Sequence, residues 1–500
     1  MAASALLAGC AAGPDYRAPT LSELKVAERF AAAPPATAAD EDDLARWWRA
    51  FDDPALTGLV ERGLAANLDI DEAGARVREA RANLWGARGA LLPGLGASGS
   101  AARAVGGPIE GDRTRFQVGF DAAYEVDVFG GVRRSVEAAR ATAQGAEASL
   151  RSVQLTVASE IALNYFAARE AQTRLRIARE TLAALDETVE IVGWRRQAGL
   201  VGALDLERAR QIRDQTAATI PSLETDYAAA ANRLAVLLGE APSAVAAALE
   251  PARDAPAPPG ALPAAIPADV VRRRPDVALA ERTLAAETAR IGVQAAQLYP
   301  ALTLSGSFSG SGTSVSDAAN DLAGDLIAGI TAPIFHGGQI RAAVEAQRAS
   351  AAAALAAYRT AVLTALEESE NALTSVSATR RRRQSLASAE TAARNAVEIA
   401  RAQYRSGLID FQSLLESERT LLSSQDSLAS ARVAEAAAAV QLYKALGGGW
   451  QAAPTPSSVS APGARQGEVA AGSPARAGPK LLKIAPSYPD QASPLDPGRL

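Results

Sequence analysis

Residues 115–128 read RFQVGFDAAYEVDV, and the order of those side chains decides the fold. The even positions are Phe116, Val118, Phe120, Ala122, Tyr124, Val126 and Val128; the odd ones are Arg115, Gln117, Gly119, Asp121, Ala123, Glu125 and Asp127. A β-strand turns successive side chains to opposite faces, so the stretch predicts a strand with one apolar and one polar face. It is long enough to supply the ~9 to 11 residues that cross a bilayer as one stave of a barrel. A solvent-facing strand of a small sheet is the alternative with the same period. Downstream, Leu302, Leu304, Gly306, Phe308 and Gly310 interleave with Thr303, Ser305, Ser307, Ser309 and Ser311 in the same manner. Two strand pairs are expected, 94–105 with 114–128 and 301–312 with 321–335. Four strands cannot close on themselves, since barrels begin at about eight, and an open edge in lipid leaves backbone groups unsatisfied. The chain is therefore expected to oligomerise around a shared tube.

The two strand pairs belong to two copies of one unit. Shifted by 207 residues, Asp69, Ile70, Ala73, Val77, Leu91 and Pro93 fall on Asp276, Val277, Ala280, Leu284, Leu298 and Pro300 without a gap. At a shift of 208, Val136, Glu137 and Arg140 meet Val344, Glu345 and Arg348, and Gly199 with Leu200 meets Gly407 with Leu408. Such self-similarity requires the fold to be read as a duplication. In the first copy, helix is expected over 56–92, over 132–198 and over 203–238; in the second, over 268–299, 338–406 and 410–446. Leu175, Ala178, Leu182, Leu185, Val189 and Val192 alternate three and four apart, the seam of a coiled coil. Each middle helix would be a rod on the order of 100 Å, with two half-length helices stacked end to end beside it. The plan is helix-strand-strand-helix-helix, used twice: 56–241 and 268–450, joined by an Ala- and Pro-rich connector at 242–267. An extended arm at 11–55 precedes them, and the Pro, Ala, Ser and Gly of 451–500 read as a disordered tail.

Composition agrees with thin, closely packed helices: 48% of residues are hydrophobic but only 5% aromatic. The formal net charge of -5 gives no basic excess for nucleic acid, and the arginine runs 272–274 and 380–383 are expected on solvated helix faces. The one cysteine, Cys10, closes the run Leu7-Ala8-Gly9-Cys10, which reads as the end of a secretory signal at 1–10 whose cysteine becomes a lipidated N-terminus. A buried structural cysteine is the alternative. No segment is read as a spanning helix.

Several motifs occur in order: GPDYRAP at 13–19, WWRAFDDPAL at 47–56, YEVDVFG at 124–130, RRRPDV at 272–277 and LYKALGGGW at 442–450. On these the chain resembles the TolC-like outer-membrane efflux proteins, in the lipoprotein branch that serves tripartite drug-efflux pumps of the resistance-nodulation-division type. The resemblance implies a mainly α protein with a membrane β-barrel: a homotrimer whose twelve-stranded barrel continues into a coiled-coil α-barrel in the periplasm. It implies an acyl lipid such as palmitate on Cys10, and partnership with a periplasmic adaptor and an inner-membrane transporter. The function implied is a passive outer-membrane exit channel, with a type I secretion or metal-efflux channel as the runner-up. A lipid-anchored coiled-coil spacer without a pore is the reading from a different class. No Met-rich or His-rich tract favours metal cargo.

The turns at 198–204 and 406–412 are expected at the periplasmic tip. There Gly199 and Gly407 suit a left-handed helix end, and Leu200 and Leu408 offer a patch to an adaptor. Just inside the second turn Gln412, Glu416 and Arg419 share one helix face. By resemblance they form the gate, with Glu416 as an acidic ring and Arg419 tying helices across the interface. The family commonly carries Asp at the place of Glu416 and Leu at that of Gln412, so the constriction here is expected to be softer or more polar than the usual one. Catalysis is not expected. His336 is the one histidine, so neither a histidine triad nor a multi-histidine zinc site can be built. The GxGxxG at Gly94, Gly96 and Gly99 precedes a strand rather than a helix, the reverse of a dinucleotide site. No cofactor is expected beyond the lipid.

Overall fold

The computed structural model describes residues 11–24, 26, 30, 44–106, 113–242, 244–250, 252–260 and 267–449. Cys10 and the tail at 451–500 lie outside the described residues. The first copy contains α1 (Pro54–Ala66), α2 (Leu68–Gly89), β1 (Gly94–Ala104), β2 (Arg113–Val126), α3 (Gly131–Gln197) and α4 (Ala203–Leu237). The second contains α5 (Pro267–Arg273), α6 (Pro275–Ala296), β3 (Ala301–Gly312), α7 (Val315–Asn320), β4 (Leu322–Thr331), α8 (Gln339–Arg405) and α9 (Phe411–Ala445). Helices α3 and α8 are 67 residues each, about 100 Å at 1.5 Å per residue, and α4 and α9 are 35 residues each.

The helix expected over 56–92 is two helices, and the cause is Asn67. Its backbone is extended, and its side-chain oxygen accepts from the N–H groups of Asp69 and Ile70, capping α2. Its Nδ2 donates to the carbonyl of Leu237 at 2.9 Å, satisfying an open carbonyl at the end of α4. The second copy breaks one repeat later at Arg274, where Pro275 forces the preceding residue out of the helical region. Arg274 Nη1 donates to the carbonyl of Ala445 at the end of α9, reproducing the junction with a different side chain. Arg274 also pairs with Asp276 and Glu368 at 2.7 Å and is buried, so it is not on the solvated face expected for its run. Arg380 and Arg383 likewise turn onto the buried Glu435 of α9.

These breaks mark the equator. Trp47, Trp48, Phe51, Tyr165, Phe166 and Tyr443 gather there with Leu56, Val60, Leu234 and Leu238 in one cluster. Trp47 stacks on Tyr443 with centroids 5.6 Å apart and so joins the end of the arm to the second copy. The connector crosses the middle of α3, held by Arg169 Nη1 donating to the carbonyl of Leu249 at 2.7 Å. The arm crosses the helices as extended chain: the Ala12 N–H donates to the Phe129 carbonyl at 2.8 Å and Asp15 pairs with Arg134 at 2.6 Å. At Gly13, with φ +85°, an added Cβ would lie 2.5 Å from the backbone of Gly292, so two glycines make this crossing possible.

The four strands form one antiparallel sheet in the order β1-β2-β3-β4, so β2 of the first copy pairs with β3 of the second. β2 stops at Val126, short of the expected 128, because Asp127 turns back to accept from the N–H groups of Val132 and Arg133 at 3.1 and 2.9 Å, capping α3. β4 ends at Thr331, before Pro333 and short of the expected 335; proline has no N–H to offer the ladder. The short helix α7, capped by Ser314, fills the turn of the second hairpin and was not anticipated.

Candidate functional site

Strand register sorts the sheet into two chemically different faces. On one, Phe120 faces Ala97 and Phe308, Tyr124 faces Leu304, and Gly306 and Leu302 face Leu326 and Ile330. On the other, Asp121 faces Ser307 and Ser307 faces Asp325, with Gln117 opposite Ser100 and Ser311. Ser307 Oγ donates to Asp325 Oδ1 at 2.6 Å, and Gly96 leaves room for the Asp121 carboxylate that leans over it. The apolar face is uncovered: Leu95, Phe120, Leu326 and Ile330 are all more than half exposed. Such a patch on a soluble surface would be a liability, and against lipid it is the stable arrangement. Among the described residues, both outer strands, β1 and β4, present an unpaired edge within the protomer.

At the opposite end α3 and α8 stop in the same motif. The N–H of Leu200 donates to the carbonyl of Arg195 at 2.9 Å and that of Gly199 to Arg196 at 3.0 Å; Leu408 and Gly407 repeat this on Gln403 and Tyr404 at 2.9 and 3.0 Å. Gly199 and Gly407 have φ of +75° and +73°, the left-handed position that glycine takes without strain. Leu200 and Leu408 are 73% and 75% exposed. The two tips are joined by a contact that sequence reading missed. Arg195 Nη2 donates to the carbonyls of Tyr404 and Arg405 at 3.2 and 3.4 Å, and its guanidinium lies 4.3 Å from the centre of the Tyr404 ring. A cation at the C-terminus of α8 suits the helix dipole, and the ring supplies a second attraction. No local pattern marks this pairing, because its partners lie 209 and 210 residues apart.

Gln412, Glu416 and Arg419 are all exposed at the start of α9. Gln412 Oε1 accepts from Arg208 Nη1 of α4 at 3.2 Å. Among the described residues Glu416 and Arg419 make no hydrogen bond or ion pair within the protomer, so both are free to meet another chain. Beneath them Glu418 is buried; Arg401 Nε and Nη2 donate to its Oε1 at 3.2 and 3.1 Å while Oε2 is without a partner. Burial pushes the Glu418 carboxyl above the ordinary glutamate range, and the attraction of Arg401 only partly opposes it. His336 lies at the foot of β4 beside a cleft lined by Phe129, Tyr299 and Gln297.

The family described as "Outer membrane efflux protein" matches residues 59–240 and 266–448, the two copies almost end to end. The chain belongs to this family. Nodulation protein T of Rhizobium leguminosarum bv. trifolii is 33% identical over 454 residues, covering 89% of this chain and 96% of that protein. Pyoverdine export outer membrane protein OpmQ of Pseudomonas aeruginosa is 33% identical over 423 residues, covering 82% and 89%. The solved outer-membrane channel OprN superposes with a TM-score of 0.81 at 36% identity, covering 88% of this chain and all of that one. This outer membrane efflux protein is thus an exit channel, its sheet in the outer membrane and its helices in the periplasm. A poreless spacer is set aside, since family and structural neighbours are channels.

Proposed function

We propose that three copies of this efflux protein close a twelve-stranded barrel through the outer membrane and a continuous helical tunnel beneath it, forming the exit duct of a tripartite pump. The observation that carries this reading is the two-faced sheet whose outer strands lack partners. Four strands per chain need company in lipid, and β4 of one copy beside β1 of the next satisfies both edges. The apolar face then meets lipid, and the serine, threonine and carboxylate face lines the bore.

The duct is passive and catalyses no reaction; an inner-membrane transporter of the resistance-nodulation-division type supplies the energy. A periplasmic adaptor docks on the turns that carry Gly199 with Leu200 and Gly407 with Leu408. Glu416 and Arg419, unpaired in the protomer, meet their counterparts across the bore and hold it narrow, with Gln412 tied back to Arg208. Cys10 carries the acyl lipid, the one covalent addition the protein takes. This is supported by Ala11, the next residue, which packs against Gly130 at the foot of β2, where the chain leaves the membrane. The cargo class is a small organic molecule, as the OpmQ relative's pyoverdine export implies.

Two measurements test this. Crosslinking of the purified protein should stop at the trimer, and planar bilayers should show discrete channels. In the same bilayers Glu416→Ala combined with Arg419→Ala should raise single-channel conductance, and unchanged conductance removes the gate from these residues.

A further inference from the structure

Where the sheet passes into the helices, a cleft of about 520 Å³ opens among the feet of β2, β3 and β4, the start of α3 and the end of α6, within the size range of small-molecule sites. It continues the polar face of the sheet. Glu125, four residues on from Asp121, lies on the same side of β2, and the paired Ala301 and Thr331 close that side at the ends of β3 and β4. In the proposed duct this side faces the bore. Two rings line the cleft: Phe129 and Tyr299 stack with centroids 4.6 Å apart and planes 15° from parallel, and Tyr299 is 46% exposed. Val293 and Ile340 add apolar surface.

Charge in the cleft has one sign. Among the described residues that line it there is no lysine or arginine, and the carboxylates are Glu125 and Asp127. Asp127 is already engaged: it accepts from the N–H groups of Val132 and Arg133 and from Arg133 Nε at 3.2 Å. Glu125 is exposed and, among the described residues, makes no hydrogen bond or ion pair. The last turn of α6, through Val293 and Ala296, brings the negative end of a helix dipole to the same wall. A free carboxylate in one cleft with an exposed aromatic face and apolar surface is chemistry that recognises an organic cation. The fold does not demand the ring pair. At the repeated junction Leu92 stands at the place of Tyr299 and Gly337 at that of Phe129, although Gly130 and Gly338 cap α3 and α8 alike.

We propose that this cleft is a resting site for amphipathic organic cations in transit: an amine or quaternary ammonium with an aromatic or apolar body, its charge held by Glu125 and the ring faces and its body against Val293 and Ile340. Gln297 and His336 line the same cleft and can bond the polar substituents of such a molecule. Three clefts in the proposed trimer ring the passage from tunnel to barrel. The inference rests on the exit-duct reading above and narrows its cargo class.

Ethidium, a planar aromatic cation, tests it by fluorescence anisotropy with the detergent-solubilised protein, empty micelles giving the blank and fluorescein serving as the anionic dye. Ethidium should bind saturably, more weakly as salt rises, and fluorescein should not bind. Glu125→Gln keeps the shape and removes the charge, and should raise the ethidium Kd at least about fivefold. Tyr299→Leu places there the residue that the first copy carries at Leu92, and should raise it at least about threefold. Asp121→Asn takes a charge from the same face outside the cleft and should leave the Kd within about twofold of the unsubstituted value. Glu125→Gln decides the matter even where Tyr299→Leu lowers the yield of folded protein. An unchanged Kd in Glu125→Gln, an equal loosening by Asp121→Asn, or fluorescein bound as tightly as ethidium overturns the site. Crosslinking and bilayer channels of the unsubstituted protein decide the duct separately, so an intact channel without this cation site refutes the present inference alone.

Discussion

Phe120 and Asp121 are neighbours in the chain and sit on opposite faces of β2, so placing arginine at each in turn reads the orientation of the sheet. Phe120 lies six residues from Val126 and seven from Arg113, the two ends of the strand. At a rise of ~3.3 Å per residue and a tilt of about 40°, that is roughly 15 Å from either boundary, near the midplane of the apolar band. A lipid-facing arginine at that depth costs about 2–4 kcal/mol per chain, hence on the order of 6–12 kcal/mol for the proposed trimer. Phe120→Arg should therefore deplete the heat-modifiable trimer band and the outer-membrane fraction severely. Asp121→Arg, on the hydroxyl-rich face beside Ser307, should assemble near the wild-type level and change conduction instead. A Phe120→Arg protein that assembles normally while Asp121→Arg does not would invert the faces and refute the placement of lipid and bore.

Arg195→Ala removes two carbonyl contacts and the ring contact at the tip, a loss of about 1–2 kcal/mol from the helix-end and cation–π terms together. It should speed proteolysis at 198–204 and 406–412, Arg195→Lys should restore part of the resistance, and equal digestion rates for all three proteins would dismiss the tie. Glu418 has its folded carboxyl raised by burial, so the stability linked to it is fully present below the unfolded glutamate value and is lost as pH rises through the higher folded value. The tip should resist protease better on acidification into the glutamate range, and Glu418→Gln should flatten that dependence; an identical pH profile in the variant would show that another group is responsible.

The long helices were legible because nothing competes with them. Both 67-residue rods begin and end within a residue of expectation, since a glycine closes each and no proline interrupts. The equatorial break in the second copy is announced by Pro275, whereas Asn67 sits in a run that reads as uninterrupted helix and only its long-range bond to Leu237 explains it. The barrel staves were visible as period-two runs, yet their ends shifted where Asp127 prefers capping a helix to extending a strand. At the tip, the glycine turns and the exposed leucines could be named from sequence, but Arg195 could not. An arginine at the end of a helix has many potential partners, and the selection among them is made by tertiary packing.

The points where the two copies agree and disagree divide scaffold from mechanism. Asn67 and Arg274, one repeat apart, both donate to the last carbonyls of the returning helix, and Gly199 and Gly407 close their rods with the same bonds. Different side chains doing one job in both copies show that the junction geometry, not the residue, is what each rod requires. The copies part at Pro221 against Ala429, at Arg195 against Gln403, and at Arg208, which reaches Gln412 of the other hairpin. Two identical copies in a trimer would present six equivalent hairpins, free to bend alike. The ties between hairpins break that equivalence: Arg195 reaches the α8 carbonyls and Arg208 reaches Gln412, and among the described residues no side chain of the second hairpin returns either contact.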